Sequence, residues 1–147
     1  MTRAIYFDMD GTIANLYGVE NWLDSLKNEY TKPYREAKAL INMRTLGREL
    51  NRLQAEGYKI GVVSWLCKNG TDEYGERVIK AKKEWLAKHI GAVKWDEIHI
   101  VKYGTSKQKV VEFPDGILFN DENENRKNWL GKAFDVDNII EILKGMR

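Results

Sequence analysis

Short apolar runs of strand length alternate along this chain with longer stretches whose apolar positions recur at helical spacing. Strands that alternate with helices in this way are typical of parallel βαβ units, in which helices cover both faces of one sheet. The pattern therefore predicts a three-layer, Rossmann-like α/β fold with a parallel sheet. The runs that predict its strands are Ala4 to Phe7, Ile60 to Val63, Ile98 to Val101, Ile117 to Phe119 and a weaker Ala133 to Val136.

A long helix is predicted between the second and third strands. Over residues 73–90, Val78, Ala81 and Trp85 recur at helical spacing. A further helix is predicted after the last strand, around Val136 to Leu143. The lysines of the 73–90 helix form one basic face, which could contact an anionic partner but is interpreted as solvated: Lys80, Lys82, Lys83 and Lys88.

The connection between the first two strands, residues 13–58, is too long for a single crossover helix. An amphipathic helix is predicted around residues 19–30, Pro33 interrupts it, and a second helix is predicted from Ala37 through Leu53. We expect one domain over residues 1–147, with residues of about 14–45 forming a small helical cap above the strand ends. Such a cap could cover a site, although ordinary packing of both helices is the alternative.

The composition is that of an ordinary folded protein. Of 147 residues, 43% are hydrophobic and 31% are charged, which argues against disorder, and a net charge of +2 is too mild for a nucleic-acid groove. No apolar run approaches the ~20 residues of a membrane helix, so no membrane partner is expected. A first strand so near the N-terminus leaves no room for a signal peptide, and Cys67 is the only cysteine. These features predict a cytoplasmic location.

Two carboxylates follow the first strand. Asp8 and Asp10 can lean to the same side because side chains alternate along an extended segment, and Gly11 lets the backbone turn. Carboxylates this close repel each other unless a cation or a shared proton lies between them. This arrangement suits a site that needs a nucleophile, a proton-transfer group and a divalent metal. The alternative is an Asx-type turn at Asp10 and Gly11.

Polar residues also follow the other predicted strands. Ser64 follows the second strand, Lys107 opens a predicted short helix after the third, and Asp121 follows the fourth. Ligands of parallel α/β folds bind beyond the carboxyl ends of the strands, so these side chains are expected near one edge of the sheet. Carboxylates suit Mg²⁺, while a hydroxyl and an ammonium group can hold phosphoryl oxygens. The set therefore indicates phosphate chemistry.

The same residues, in the same order, resemble the four motifs of the haloacid dehalogenase (HAD) superfamily: Asp8-Met9-Asp10-Gly11-Thr12, Ser64, Lys107 and Asp121. The resemblance spans essentially the whole chain. Three segments are similar, more narrowly, to the 5'(3')-deoxyribonucleotidase branch: 85–91, 98–101 and 117–121. At the place of that family's usual acidic pair after strand four, this chain has Asp121-Glu122. The resemblance implies a HAD-like fold with a cap after strand one, and a Mg²⁺-dependent phosphatase that acts on a small phosphorylated metabolite, namely a nucleotide.

The resemblance also implies a role for each matching residue. Asp8 would attack phosphorus and form an aspartyl-phosphate, and Asp10 would protonate the leaving alkoxide and then activate water. Superfamily members that cleave carbon–halogen bonds lack this second aspartate. Mg²⁺ would be held by Asp8, by the backbone carbonyl of Asp10 and by Asp121.

The phosphoryl group would be bound by a second set of residues. The resemblance gives this role to Ser64, to Lys107 and to Thr12, which would also help to orient the loop. Lys102 and Lys109 are alternatives for the lysine. Either Glu122 or Asn125 would assist the metal through water.

Several alternatives stay open at the level of the sequence. A signalling receiver domain also combines these residue types, but no lone aspartate follows strand two or three here. A non-catalytic module that binds phosphate and Mg²⁺ is a second alternative.

Sugar phosphates and nucleic-acid ends are alternative substrates, and Arg44 could reach a phosphate. Cys67 has no base beside it and is interpreted as a structural thiol. A nucleobase could stack on aromatic residues that flank the site in sequence: Tyr17, Trp22, Tyr34, Trp65 and Tyr103.

Overall fold

The computed structural model describes residues 3–146 and confirms the predicted α/β fold class. The strands are β1 (Ala4–Phe7), β2 (Ala14–Asn15), β3 (Lys38–Ala39), β4 (Lys59–Trp65), β5 (Glu97–Val101), β6 (Ile117–Phe119) and β7 (Ala133–Phe134). The helices are α1 (Trp22–Lys27), α2 (Lys32–Glu36), α3 (Met43–Ala55), α4 (Asp72–His89), α5 (Lys107–Val110), α6 (Asn123–Lys127) and α7 (Ile139–Lys144), with a 3₁₀ turn at Leu16–Gly18.

Five of the strands form one parallel sheet in the order β5-β4-β1-β6-β7. The chain moves outward from β1 through β4 to β5 and then returns to the other side of β1 at β6. The carboxyl end of β1 therefore lies where the strand order reverses, which is the usual ligand position in open α/β sheets. Register reinforces this position, because Phe7 lies beside both Val62 and Phe119. The residues that follow β1 and β6 are consequently neighbours.

Helices cover both faces of the sheet. On one face, the apolar side chains of β1, β4 and β6 pack against α3, α4 and α7. Leu46, Leu50 and Leu53 of α3 are fully buried there, and each such side chain contributes about 1.5–3 kcal/mol of burial free energy. On the other face, Tyr6, Leu118 and neighbouring residues pack with Val110 of α5, with Val111 directly after α5, and with Trp129 shortly after α6. This arrangement gives the three predicted layers.

Tyr6 links three adjacent strands on that second face. Gly61 of β4 lies between Tyr6 of β1 and Glu97 of β5. The Tyr6 hydroxyl passes over Gly61 and donates a 2.5 Å hydrogen bond to Glu97 Oε2. A β-carbon on Gly61 would lie 2.6 Å from the Tyr6 ring, so only glycine leaves room for this contact.

The segment from the start of β2 to the residue before α3, residues 14–42, differs from its prediction. The helix predicted from Ala37 through Leu53 is wrong at its start, because Ala37 is extended and residues 38–39 form β3, antiparallel to β2. The helix begins only at Met43, where the Asn42 side chain accepts a hydrogen bond from the Thr45 amide. Pro33 does not interrupt a helix either: it lies in the first turn of α2, where a missing amide hydrogen is no loss.

Several hydrogen bonds fix the 14–42 segment to α4. The Tyr74 hydroxyl donates to the Tyr30 carbonyl (2.8 Å), and the Trp85 indole donates to the Ala37 carbonyl (2.7 Å). The Glu29 carboxylate accepts from both the amide and the hydroxyl of Thr71, at the start of α4. These contacts hold the segment on the helix that follows β4. Within residues 3–146, no helix is long and apolar enough to cross a membrane.

Candidate active site

The loop after β1 is a tight turn. The Met9 carbonyl accepts hydrogen bonds from the amides of Thr12, Ile13 and Ala14, each at 3.0 Å. Gly11 has a φ of +81°, and a β-carbon there would lie 2.1 Å from Asp121 Oδ2. Glycine is therefore required both by the backbone conformation and by the close approach of Asp121.

Asp8 is buried at the carboxyl end of β1 with a different partner at each oxygen. Its amide donates to the Phe119 carbonyl, which fixes the backbone between β1 and β6. Lys107 Nζ donates to Oδ1 at 3.0 Å, and the Thr12 hydroxyl lies 3.3 Å from Oδ2. An ammonium group thus contacts this carboxylate directly.

The Thr12 hydroxyl lies between two carboxylates. It accepts a 3.2 Å hydrogen bond from the Asp121 amide, and it can donate its single hydrogen either to Asp8 Oδ2 or to Asp121 Oδ1, 3.5 Å away. Burial, together with the charge of Asp8 and a hydrogen bond with Asp8, raises the pKa of Asp121 to about 7. Burial and the neighbouring Asp8 therefore both disfavour a negative charge on Asp121.

The carboxylate of Asp10 has a separate set of partners. Lys82 of α4 donates a 2.9 Å hydrogen bond to Asp10 Oδ2, and the same ammonium donates to Ser64 Oγ and to the Trp65 carbonyl, each at 2.8 Å. Burial raises the pKa of Asp10 above its usual range, against the opposing charge of Lys82. A carboxyl group with a raised pKa is suited to general acid catalysis.

Of the three candidate lysines, only Lys107 lies at this site. It is buried at the start of α5, and its ammonium also lies 5.3 Å from the centre of the Trp65 ring. Lys102 is exposed and pairs with Asp72, whereas Lys109 points to solvent. The geometry favours Lys107 for the predicted phosphate contact.

A cleft of about 510 Å³ opens above these groups. Asp8, Asp10, Lys107 and Asp121 form its floor, and the side chains of Glu122 and Asn125 lie at one side. Ser64 and Thr12 are almost fully buried and do not line it, so their predicted contact with a phosphoryl group stays a prediction. All of the aromatic residues predicted to flank the site line the cleft: Tyr17, Trp22, Tyr34, Trp65 and Tyr103.

Arg44 lies away from the cleft, and Cys67 lines it in surroundings that disfavour a reactive thiolate. Arg44 is exposed on α3 and does not line the cleft, so it does not reach a phosphate there. Cys67 lines the cleft, but burial raises the pKa of its thiol, which disfavours the reactive thiolate. This agrees with its interpretation as a structural thiol.

The predicted metal site needs only two side chains, the carboxylates of Asp8 and Asp121. Within residues 3–146, no group of three or more Asp, Glu, His or Cys side chains is arranged to hold one. The Asp10 carboxylate is paired with Lys82, and the metal contact predicted for Asp10 is through its backbone carbonyl. Two carboxylates on either side of one hydroxyl nevertheless fit Mg²⁺, which is commonly held by one or two carboxylates with water and phosphate oxygens.

Comparison with known proteins adds little to this geometry. No family model matches the chain, and no curated protein matches it. One similar solved structure is the crystal structure of D,D-heptose 1,7-bisphosphate phosphatase from Burkholderia thailandensis. It is 15% identical, with a TM-score of 0.49, over 86% of this chain and 70% of that one. A likeness at this level carries no conclusion about activity.

Lys82 is the residue of this site that sequence reasoning missed. The prediction of a solvated side chain is wrong for this residue, because the Lys82 side chain is only 1% exposed. The signal was present in the sequence: Lys82 lies four residues after Val78 and three before Trp85, so it shares the apolar stripe of α4. A charged residue inside an apolar stripe is buried with the stripe and requires a partner.

Proposed function

We propose that this protein is a Mg²⁺-dependent phosphomonoester hydrolase of the HAD superfamily that forms an aspartyl-phosphate on Asp8. One observation carries the proposal: two adjacent carboxylates on one cleft floor have different lysine partners. Asp8 contacts Lys107, and Asp10 contacts Lys82. Separate surroundings are what a nucleophile and a proton-transfer group need when they lie two residues apart.

In the proposed first step, an oxygen of Asp8 bonds to phosphorus as the bond from phosphorus to the leaving oxygen breaks. Asp10 gives its proton to that oxygen. In the second step, the Asp10 carboxylate takes a proton from a water molecule whose oxygen bonds to phosphorus, and Asp8 leaves as a carboxylate. The raised pKa of Asp10 favours its acid form more than the pKa of an ordinary aspartate does. Lys107 and Ser64 would hold the phosphoryl oxygens.

Bound Mg²⁺ would offset the negative charge of the phosphoryl group and of the attacking carboxylate. The carboxylates of Asp8 and Asp121 and the backbone carbonyl of Asp10 would hold it. Glu122 or Asn125, both at the side of the cleft, would contribute through water. Thr12 would keep the two metal-binding carboxylates in position through its hydroxyl.

We propose a nucleotide as the substrate, as in the 5'(3')-deoxyribonucleotidase branch, with the 14–42 segment acting as a small cap. Tyr17 and Trp22 of this segment form an edge-to-face pair at 4.9 Å between ring centres. Trp65 and Tyr103 form a second pair, also at 4.9 Å, and both pairs line the cleft. Flat, partly exposed rings beside a phosphate site suit a nucleobase, which every aromatic face can stack against.

The test is a screen of purified protein against nucleoside monophosphates, sugar phosphates and 3'-phosphorylated oligonucleotides, with Mg²⁺ and with EDTA. We expect release of phosphate from a nucleoside monophosphate with Mg²⁺ and none with EDTA. Asp8→Asn should abolish turnover without loss of the thermal transition, because an amide of nearly the same size cannot attack phosphorus. Tight Mg²⁺ binding by a wild-type protein that turns over no phosphate would favour a non-catalytic binding module.

A further inference from the structure

Lys82 joins three parts of the site that come from different segments of the chain. Its ammonium group contacts Asp10 in the loop after β1, Ser64 within β4, and the backbone carbonyl of Trp65. A lysine ammonium has three hydrogens and accepts no hydrogen bond. All three are therefore used, and Lys82 has none left for a phosphoryl oxygen.

This arrangement excludes Lys82 as the group to which Ser64 donates. Because Lys82 can only donate, Ser64 Oγ is the acceptor in their 2.8 Å hydrogen bond. The hydroxyl hydrogen of Ser64 then points away from Lys82 and is free for another acceptor. A phosphoryl oxygen that reaches the buried Ser64 from the cleft would be such an acceptor.

The same contact orients the carboxyl group of Asp10. Lys82 occupies Oδ2, and within the described part of the chain no donor is hydrogen-bonded to Oδ1. Asp10 lines the cleft. The oxygen that is free to carry and transfer a proton is therefore Oδ1, held in one position by the contact at Oδ2.

The buried position of Lys82 is unfavourable for a charged side chain unless its contacts compensate for the lost water. Burial of an ammonium group costs several kcal/mol of desolvation, which is offset only by close, well-oriented partners. The next residue of α4, Lys83, is exposed at no such cost. Lys82 also lies 5.3 Å from the centre of the Tyr34 ring, so the 14–42 segment closes over its ammonium group.

We propose that Lys82 is a positioning residue for the reaction: it holds the Asp10 carboxyl toward the leaving oxygen and turns the Ser64 hydroxyl toward the phosphoryl group. This inference rests on the proposed phosphatase function. Lys82 itself does not line the cleft, and its effect passes through Asp10 and Ser64.

The test is the single-turnover rate of phosphoryl transfer in Lys82→Met, which removes the ammonium group but keeps an unbranched apolar side chain. Two substrates are compared, a nucleoside monophosphate, whose alkoxide needs a proton, and p-nitrophenyl phosphate, whose leaving group does not. We expect a loss of about 100-fold on the nucleotide and a clearly smaller loss on the aryl phosphate. The matched control is Lys83→Met, which should leave both rates unchanged.

A double-mutant cycle separates positioning from general damage to the fold. In an Asp10→Asn background, Lys82→Met should reduce the rate by a much smaller factor than in the wild-type background, because the residues act through one another. The same factor in both backgrounds, or equal losses on the two substrates, would overturn the inference while the phosphatase function stands. An inactive wild type would overturn the proposed function and this inference with it.

If Lys82→Met shows no cooperative thermal transition, Lys82→Gln replaces it. Its neutral amide still donates hydrogen bonds, but it is shorter and carries only two donors for three acceptors. The nucleotide rate should again fall more than the aryl phosphate rate. An unchanged ratio of the two rates in a folded Lys82→Gln protein would contradict the proposal.

Discussion

The amide of Asp121 donates a 3.2 Å hydrogen bond to the hydroxyl of Thr12, across 109 positions of the sequence. That hydroxyl also lies within 3.5 Å of a carboxylate oxygen of each neighbour, Asp8 and Asp121. One threonine therefore positions the two side chains that we propose as metal ligands. Burial first, and then the nearby charge of Asp8, raise the pKa of Asp121 to about 7.

Asp121→Asn should stabilise the metal-free protein at pH 8 but not at pH 4. The pKa of Asp121 is raised from 3.8, so the folded state binds this proton more tightly than the unfolded state. The free energy of unfolding therefore falls as pH rises from about 4 to 7, and removing the carboxylate avoids that loss. Allowing for solvent screening of a half-buried group, we expect about 1 kcal/mol, or roughly 2–4 °C in Tm at pH 8.

The same variant should lose most of the thermal stabilisation that Mg²⁺ gives the wild type, with partial rescue of activity by excess Mg²⁺. Thermal melts at pH 4, 6 and 8, with and without Mg²⁺, measure both effects. A difference in Tm between variant and wild type that does not change with pH would refute the raised pKa. An unchanged Mg²⁺ titration would remove Asp121 from the metal site.

Gly11→Ala should reduce activity by about 100-fold or more, because its β-carbon would displace Asp121 from the position that Thr12 fixes. The matched control is Gly57→Ala. Gly57 also has a positive φ, at +100°, but its β-carbon would meet nothing closer than 3.9 Å. Both variants should lose about 1–2 kcal/mol of stability from backbone strain. Steady-state kinetics that show equal activity in the two variants would contradict the predicted collision.

Tyr6→Phe should lower the free energy of unfolding by about 1–3 kcal/mol at pH 7 without changing activity. Burial alone would raise the pKa of Glu97, but hydrogen bonds from Tyr6, His99 and the Glu112 amide keep it below its usual range. A lowered pKa contributes stability that is present above the ordinary value of 4.5 and lost as pH falls further. Urea unfolding should therefore show a smaller effect of the mutation near pH 3.5 than at pH 7. An effect that grows on acidification would count against this account.

Tyr103→Leu should raise KM for a nucleoside monophosphate about tenfold, since a stacked base contributes about 1–3 kcal/mol. KM for glycerol phosphate, which has no ring, should stay the same. Tyr30→Leu is the control, because Tyr30 is also an exposed aromatic residue of the chain but does not line the cleft. Equal changes in KM for both substrates would argue against a nucleobase at this wall.

The sequence by itself determined the class of fold and the residues that follow the strands. Strands β1 and β6 match their predicted apolar runs residue for residue. Both are short and buried, so their composition alone distinguishes them from the rest of the chain. Asp8, Asp10 and Asp121 follow these strands within three residues. A parallel sheet can only place such residues at its carboxyl edge. Local pattern was sufficient wherever the relevant contacts are local or common to all parallel sheets.

Only the tertiary structure decided which partner each polar group has. Strand order places Asp121 beside Thr12, and the glycine at position 61 lets Tyr6 reach Glu97 two strands away. Four lysines of α4 read alike in the sequence, yet the packing of that helix buries Lys82 against Asp10. In the same way, residues 38–39 are a strand because β2 pairs with them. The physical reason is that a buried charge or a two-residue strand is stable only with its partner, and the partner lies far away in the sequence.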